Sequence, residues 1–224
     1  MSIEEYFGDW CKVLDIAEAN RVVKNLQVKQ IPTCPKLSNV FKAFHLCFLR
    51  SLRVVVIGED PYPTLFKGSP IATGIAFANA KNTPEERFSP SLDVIKESFI
   101  DFSLPKEHIN FDPSLEKLEE QGVLMLNSAL TCKVGQVGSH SLLWRPFMRT
   151  FISKLSSYTP GLIFILLGKA AQSMEIYIDH KFHHILKEKH PSYYARKKLL
   201  MPSDVWRETN RILVGQNGYG INWY

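Results

Sequence analysis

The stretch Arg53-Val54-Val55-Val56-Ile57-Gly58-Glu59-Asp60 decides the fold. Val54 to Ile57 are β-branched without interruption, and such side chains are stiff at χ1 and favour extended backbone. A run that is apolar at every position, instead of at alternate ones, has to be covered on both faces, as a strand inside a parallel sheet is. Gly58 ends the run and an acidic pair follows it. Ligands of open parallel sheets sit beyond the carboxyl ends of the strands, so Asp60 is a candidate functional carboxylate.

Similar runs lie downstream. Gly122-Val123-Leu124-Met125-Leu126 ends at Asn127, Leu162-Ile163-Phe164-Ile165-Leu166-Leu167 ends at Gly168, and a shorter segment, His183 to Leu186, precedes His190. Helical spacing falls between them at Leu92 to Phe99, Ser114 to Glu120, Trp144 to Leu155 and Lys169 to Ile178. Upstream, Ser2 to Val28 predicts one or two helices with Val13, Leu14, Ala17 and Val22 as the buried stripe. Pro32 and Pro35 open an extended passage, and the phenylalanine-rich Val40 to Phe48 predicts another helix. The alternation predicts an α/β fold, a three-layer α/β/α sandwich around a central, mainly parallel four-stranded sheet. Without an internal repeat or a low-complexity linker, residues 1–224 are expected to form a single domain.

Lys and Arg number 27 against 22 Asp and Glu, a formal charge of +5, which suits a polyanionic partner but equally an ordinary solubilising surface. The four cysteines, Cys11, Cys34, Cys47 and Cys132, form no CxxC pair, which disfavours zinc or a disulfide framework. The first residues, MSIEEYFGDW, lack an apolar leader core, and the run Gly161 to Gly168 is too short to span a bilayer. A cytoplasmic protein is expected, or a nuclear one in a eukaryotic cell, with no membrane association. Taken alone, Asp60 also fits a turn cap, Asn127 a satisfier of backbone groups and His190 a structural histidine. Their common placement at one sheet edge favours a site.

Three segments, Gly58-Glu59-Asp60-Pro61-Tyr62-Pro63, Gly122 to Thr131 and His190-Pro191-Ser192, resemble the signature regions of the family 1 uracil-DNA glycosylases. Val40 to Phe44, Gly74-Ile75-Ala76-Phe77, Pro90-Ser91-Leu92, Ser139-His140 and Ile221-Asn222-Trp223 extend the resemblance in the same order along nearly the whole chain. The resemblance implies hydrolysis of the bond between uracil and deoxyribose in single- and double-stranded DNA, the first step of base excision repair. No metal or organic cofactor is implied. In that reading Asp60 positions water and stabilises a cationic sugar, while His190 donates a hydrogen bond to uracil O2. Asn127 reads the base, Phe77 stacks on it and Tyr62 obstructs the thymine methyl group. Ser91 and Ser192 match phosphate contacts. Lys169 stands where the family often has serine, Tyr194 takes the place of a leucine wedge that fills the vacated stack, and Arg196 extends the positive surface. The implied partners are DNA containing uracil, DNA-mimicking inhibitor proteins and replication or repair proteins, with a monomer as the expected state.

Two positions depart from the family pattern. Glu59 replaces the usual Gln and is expected to act through its backbone with its side chain turned away, whereas Pro63 replaces the usual His and removes a backbone donor. The loop Thr64 to Thr73 is also longer than in common members. Two other readings stay open from sequence: a glycosylase with shifted mismatch specificity, and a DNA-binding replication or repair scaffold in which catalysis is secondary.

Overall fold

The computed structural model describes residues 3–100 and 111–224. Its centre is a sheet of four strands, β2 (Val54–Gly58), β5 (Val123–Asn127), β7 (Ile163–Leu167) and β8 (His184–Glu188), in the order β5-β2-β7-β8. Every pairing in it is parallel, with Gly58 level with Asn127 and Ile57 level with Leu166. Val54 to Ile57, Val123 to Met125 and Ile163 to Leu167 are fully buried. Since successive side chains of a strand point to opposite faces, this burial requires cover on both.

Nine helices surround the sheet among the described residues: α1 (Ile3–Phe7), α2 (Ile16–Val28), α3 (Lys42–Leu46), α4 (Pro90–Ile100), α5 (Glu116–Glu120), α6 (Ser141–Tyr158), α7 (Lys169–Gln172), α8 (Pro191–Lys197) and α9 (Asp204–Asn217). Two aromatic clusters pack within this shell. One joins Trp10, Phe41, Phe44, Trp144, Phe147 and Phe151, and the other joins Phe99, Trp206 and Trp223. Two short antiparallel ribbons complete the fold, β1 (Thr33–Cys34) with β6 (Cys132–Lys133) and β3 (Leu65–Phe66) with β4 (Ser69–Pro70). No helix among the described residues is long and apolar enough to cross a membrane.

The expected four-stranded parallel sheet is present, and several helices differ from expectation for local reasons. Within Ser2 to Val28, of which Ser2 lies outside the described residues, Asp15 accepts a hydrogen bond from the Glu18 amide and starts a new helix. The buried stripe of α2 is therefore Ala19, Val22 and Leu26, and Ala17 is exposed. Val40 to Phe48 is helical only over Lys42–Leu46, because Cys47 is extended and gives its carbonyl to the Trp10 indole at 2.8 Å. Lys169 to Ile178 is interrupted after Gln172, where Ser173 bonds back to the Ala170 carbonyl, and resumes as a 3₁₀ turn at Glu175–Tyr177. Helices α8 and α9 were not anticipated. The first starts with Pro191 at the position that suits proline, and the second buries Val205, Trp206, Thr209, Ile212 and Leu213.

Phe151 is fully buried where it and its α6 neighbour Phe147 meet Trp10 and Phe44. Phe151→Ala is expected to lower the unfolding free energy by about 3–5 kcal/mol in a denaturant titration.

Candidate active site

Because β2 is followed by β5 on one side and β7 on the other, the sheet changes direction at β2, and a crevice opens at that strand's carboxyl end. A cavity of about 340 Å³ lies there, lined by Asp60, Tyr62, Phe77, Asn127 and His190 among others. Its walls come from elements far apart in sequence, and two glycines let them meet. A Cβ on Gly58 would stand 2.6 Å from the Phe77 ring and 2.7 Å from Asn127 Oδ1. Gly168 has φ +90°, and a Cβ there would stand 2.7 Å from that of His190.

Asp60 follows β2 by two residues. Its Oδ2 accepts a 2.5 Å hydrogen bond from the Gly138 amide, and its Oδ1 is buried with no protein partner among the described residues. Burial pushes its carboxyl up to about 6, the Gly138 amide opposes that shift, and the negative charge of Glu59 adds to it. Asp60 is thus mainly ionised at neutral pH. Sequence reading missed the part played by Gly138, whose loop is braced from below. The Trp144 indole donates to Thr131 Oγ1 at 2.7 Å, and that hydroxyl in turn meets His140 Nδ1 at 2.9 Å. The adjoining Ser139-His140 pair marks this loop but not the Gly138 amide that acts from it.

The Glu59 carbonyl accepts from the Ser128 hydroxyl at 2.9 Å and the Ala129 amide at 3.2 Å, so its backbone ties the loop after β2 to the loop after β5. Glu59 is among the residues that line the cavity, and its charge is felt by Asp60.

His190 caps α8. Its Nδ1 accepts from the Ser192 amide at 3.2 Å and lies 2.9 Å from the Ser192 hydroxyl. A backbone N–H can only donate, so Nδ1 is unprotonated and the proton of the neutral ring sits on Nε2. Burial, aided by Arg196, lowers the imidazole to about 4 and keeps it neutral at physiological pH. The ring stands 5.6 Å from that of Phe77.

Asn127 is the last residue of β5 and only 7% exposed, and its side-chain amide has no hydrogen-bond partner among the described residues. Phe77 has φ +65°, a strained conformation for an aromatic residue, and its carbonyl accepts the Tyr62 hydroxyl at 2.7 Å. That bond locks Tyr62 against Phe77 at the cavity wall. Among the described residues no cluster of three His, Cys, Asp or Glu side chains is placed to hold a metal.

Ser91, Ser192 and Arg196 line the same cavity, and Lys169 is exposed at the start of α7. Tyr194 is a correction. Instead of projecting as a wedge it is 7% exposed, and its hydroxyl donates to Glu188 Oε1 at 2.6 Å. The helix that begins at Pro191 turns it inward, which the spacing from His190 alone did not reveal.

The sequence pattern of the Uracil DNA glycosylase superfamily matches residues 45–214. The uracil-DNA glycosylase of Amoebophilus asiaticus is 36% identical over 191 residues, covering 84% of this chain and 82% of that protein. The enzyme of the same name from Streptococcus pyogenes is 32% identical over 223 residues, covering 98% and 92%. The crystal structure of mimivirus uracil-DNA glycosylase superposes with a TM-score of 0.76 at 25% identity, covering 100% of this chain and 93% of that one. A mimivirus UNG variant in complex with UGI shares the fold at 24% identity, with a TM-score of 0.76 and coverage of 99% and 94%.

The geometry makes a titration prediction. The Asp60 side-chain carbon, followed by NMR, is expected to titrate with a midpoint of about 6, and Glu59→Gln to shift that midpoint downward by removing the adjacent anion. An unchanged midpoint in the variant would show that the Glu59 charge does not reach Asp60.

Proposed function

This chain belongs to the uracil DNA glycosylase superfamily, and from that premise we propose that it releases uracil from single- and double-stranded DNA by hydrolysing the N-glycosidic bond. Within the superfamily we assign it to family 1 as an atypical member, with Glu59 and Pro63 in its first motif. The observation that carries the reading is that an ionised Asp60 and a neutral His190 line one narrow cavity together with Asn127 and Phe77.

The chemistry asks for little more. Uracil N1 departs as an anion, and the sugar approaches an oxocarbenium ion as the bond lengthens. Charge therefore separates across the bond, negative on the base and positive on the sugar. Asp60 serves the positive end. Its Oδ2 is fixed by Gly138, leaving Oδ1 to orient the attacking water and face the sugar. His190 serves the negative end by donating Nε2–H to O2, where the leaving charge accumulates. A neutral donor costs less to bury than an imidazolium, which the low pKa of this ring supports.

Selection rests on the base-facing wall. The unpartnered Asn127 amide can donate to O4 and accept from N3–H, whereas cytosine offers an amino donor and a bare N3 in those places. Phe77 supplies a stacking face, and Tyr62, held by its bond to the Phe77 carbonyl, crowds C5 against the thymine methyl group. The base reaches this cavity only after leaving the helix. Ser91, Ser192, Lys169 and Arg196 supply contacts to the flanking phosphates, which fix the register of the DNA without reading sequence. Protein inhibitors that imitate the DNA backbone would engage the same surface.

The wild-type protein is expected to release uracil from a synthetic oligonucleotide in the presence of a chelator and to leave thymine and cytosine in place. In single-turnover assays, Asp60→Asn and His190→Ala should each lose on the order of 10²–10³ in rate. The active state carries Asp60 ionised, so kcat/KM should fall tenfold per unit below about pH 6, with His190 contributing only near pH 4. No uracil release by folded wild-type protein would refute the assignment, and a flat acid limb would refute the role of Asp60.

A further inference from the structure

Pro63 and Ala72 line the cavity, and between them the chain leaves the rim as the hairpin β3–β4. The Ile71 amide bonds the Thr64 carbonyl at 3.0 Å, Leu65 pairs with Pro70 and Phe66 with Ser69. Lys67 and Gly68 form the two-residue turn with φ of +47° and +76°, values of a type I′ turn, whose twist matches that of paired strands. The Gly135 amide bonds the Pro63 carbonyl at 2.8 Å, anchoring the base of the hairpin to the loop that holds Asp60. This is a preformed arm on the mouth of the site.

Its tip has an unusual surface. Phe66 is 48% exposed and Leu65 41% exposed, with no part in the core. The Arg87 guanidinium lies 5.2 Å from the centre of the Phe66 ring and the Lys67 ammonium 5.5 Å from it. Among the described residues neither cation has a carboxylate partner. Of the acids beside Arg87, Glu85 is taken by Lys96, leaving Glu86 exposed in the same turn. Both cations lie over the half-exposed Phe66 ring, and their transfer from the ring to phosphates would free it for a nucleic-acid base, so the tip holds both elements of a base-and-phosphate site. Arg87 also precedes α4, whose first turn carries the cavity-lining Ser91, so arm and cavity share one edge.

We propose that the β3–β4 hairpin is a second DNA-binding site, in which Phe66 stacks on an unpaired base of the strand that carries the lesion while Lys67 and Arg87 hold the neighbouring phosphates. This rests on the glycosylase reading of the cavity. Phe66 is three residues beyond Pro63, a reach of about 10 Å at strand spacing, which corresponds to roughly three stacked nucleotides. The contact therefore falls on the flank of the excised base and favours single-stranded or frayed DNA, whose bases are free to stack.

The test uses uracil oligonucleotides with the flank shortened stepwise on either side, together with a fluorescent oligothymidylate that contains no uracil. In the wild type, shortening one flank should raise KM, and Phe66→Leu, which keeps apolar bulk but removes the aromatic face, should raise it about tenfold on the long substrate alone. Oligothymidylate binding should weaken by a similar factor, Phe66→Trp should restore both, and single-turnover rates at saturation should match wild type. Lys67→Ala and Arg87→Ala should each make binding less sensitive to salt. The proposal is overturned if Phe66→Leu binds like wild type, or if its loss is the same on flanked and trimmed substrates. A wild type that binds oligothymidylate through Phe66 yet releases no uracil would instead refute the glycosylase reading and leave the arm standing.

Discussion

The site depends on the parallel register of β2 and β5, which brings Gly58 level with Asn127. Because the side chains of β2 are sealed on both faces, polar chemistry can stand only where the strands end. Lack of a side chain at Gly58 lets the Phe77 ring and the Asn127 amide close on the same point, and the close approach at Gly168 brings His190 to face them. Rigid strands thus supply the floor of the cavity, and loops supply its reactive groups.

Electrostatics divide the work between the two ends of the breaking bond. Burial acts on both Asp60 and His190 and moves them in opposite directions, because it disfavours whichever form is charged. At neutral pH the result is one fixed anion and one neutral donor, a pair suited to separating a cationic sugar from an anionic base. The Gly138 amide limits how far Asp60 rises, while Glu59 works against it. Glu59 therefore carries an electrostatic cost in a position whose backbone is already used to tie two loops together.

Much of this was legible in the sequence because the β-branched runs, their terminal polar residues and the motif order all carry strong local signals. Three of the four strands fall within a residue of the expected positions, since a run buried on both faces leaves no register ambiguity, whereas the partly exposed β8 runs two residues past the expected Leu186, to Glu188. Where the expectation failed, a distant contact had won. Trp10 draws the Cys47 carbonyl out of a helix, and α8 rotates Tyr194 into the interior, where Glu188 receives its hydroxyl. The Lys67-Gly68 turn lacks the usual asparagine or aspartate signal, so the hairpin was read only as a long loop. Gly138 contributes a backbone amide, a group that every residue but proline possesses and that no side-chain pattern announces.

The account is tested most directly by the affinity for DNA that carries a positively charged sugar mimic at the lesion, compared with the same DNA carrying a neutral abasic analogue, in the presence of free uracil. A cavity built around charge separation should hold the cationic mimic more tightly, and Asp60→Asn should abolish that preference without weakening the neutral complex. Equal affinity of the wild-type protein for the two sugars would contradict it.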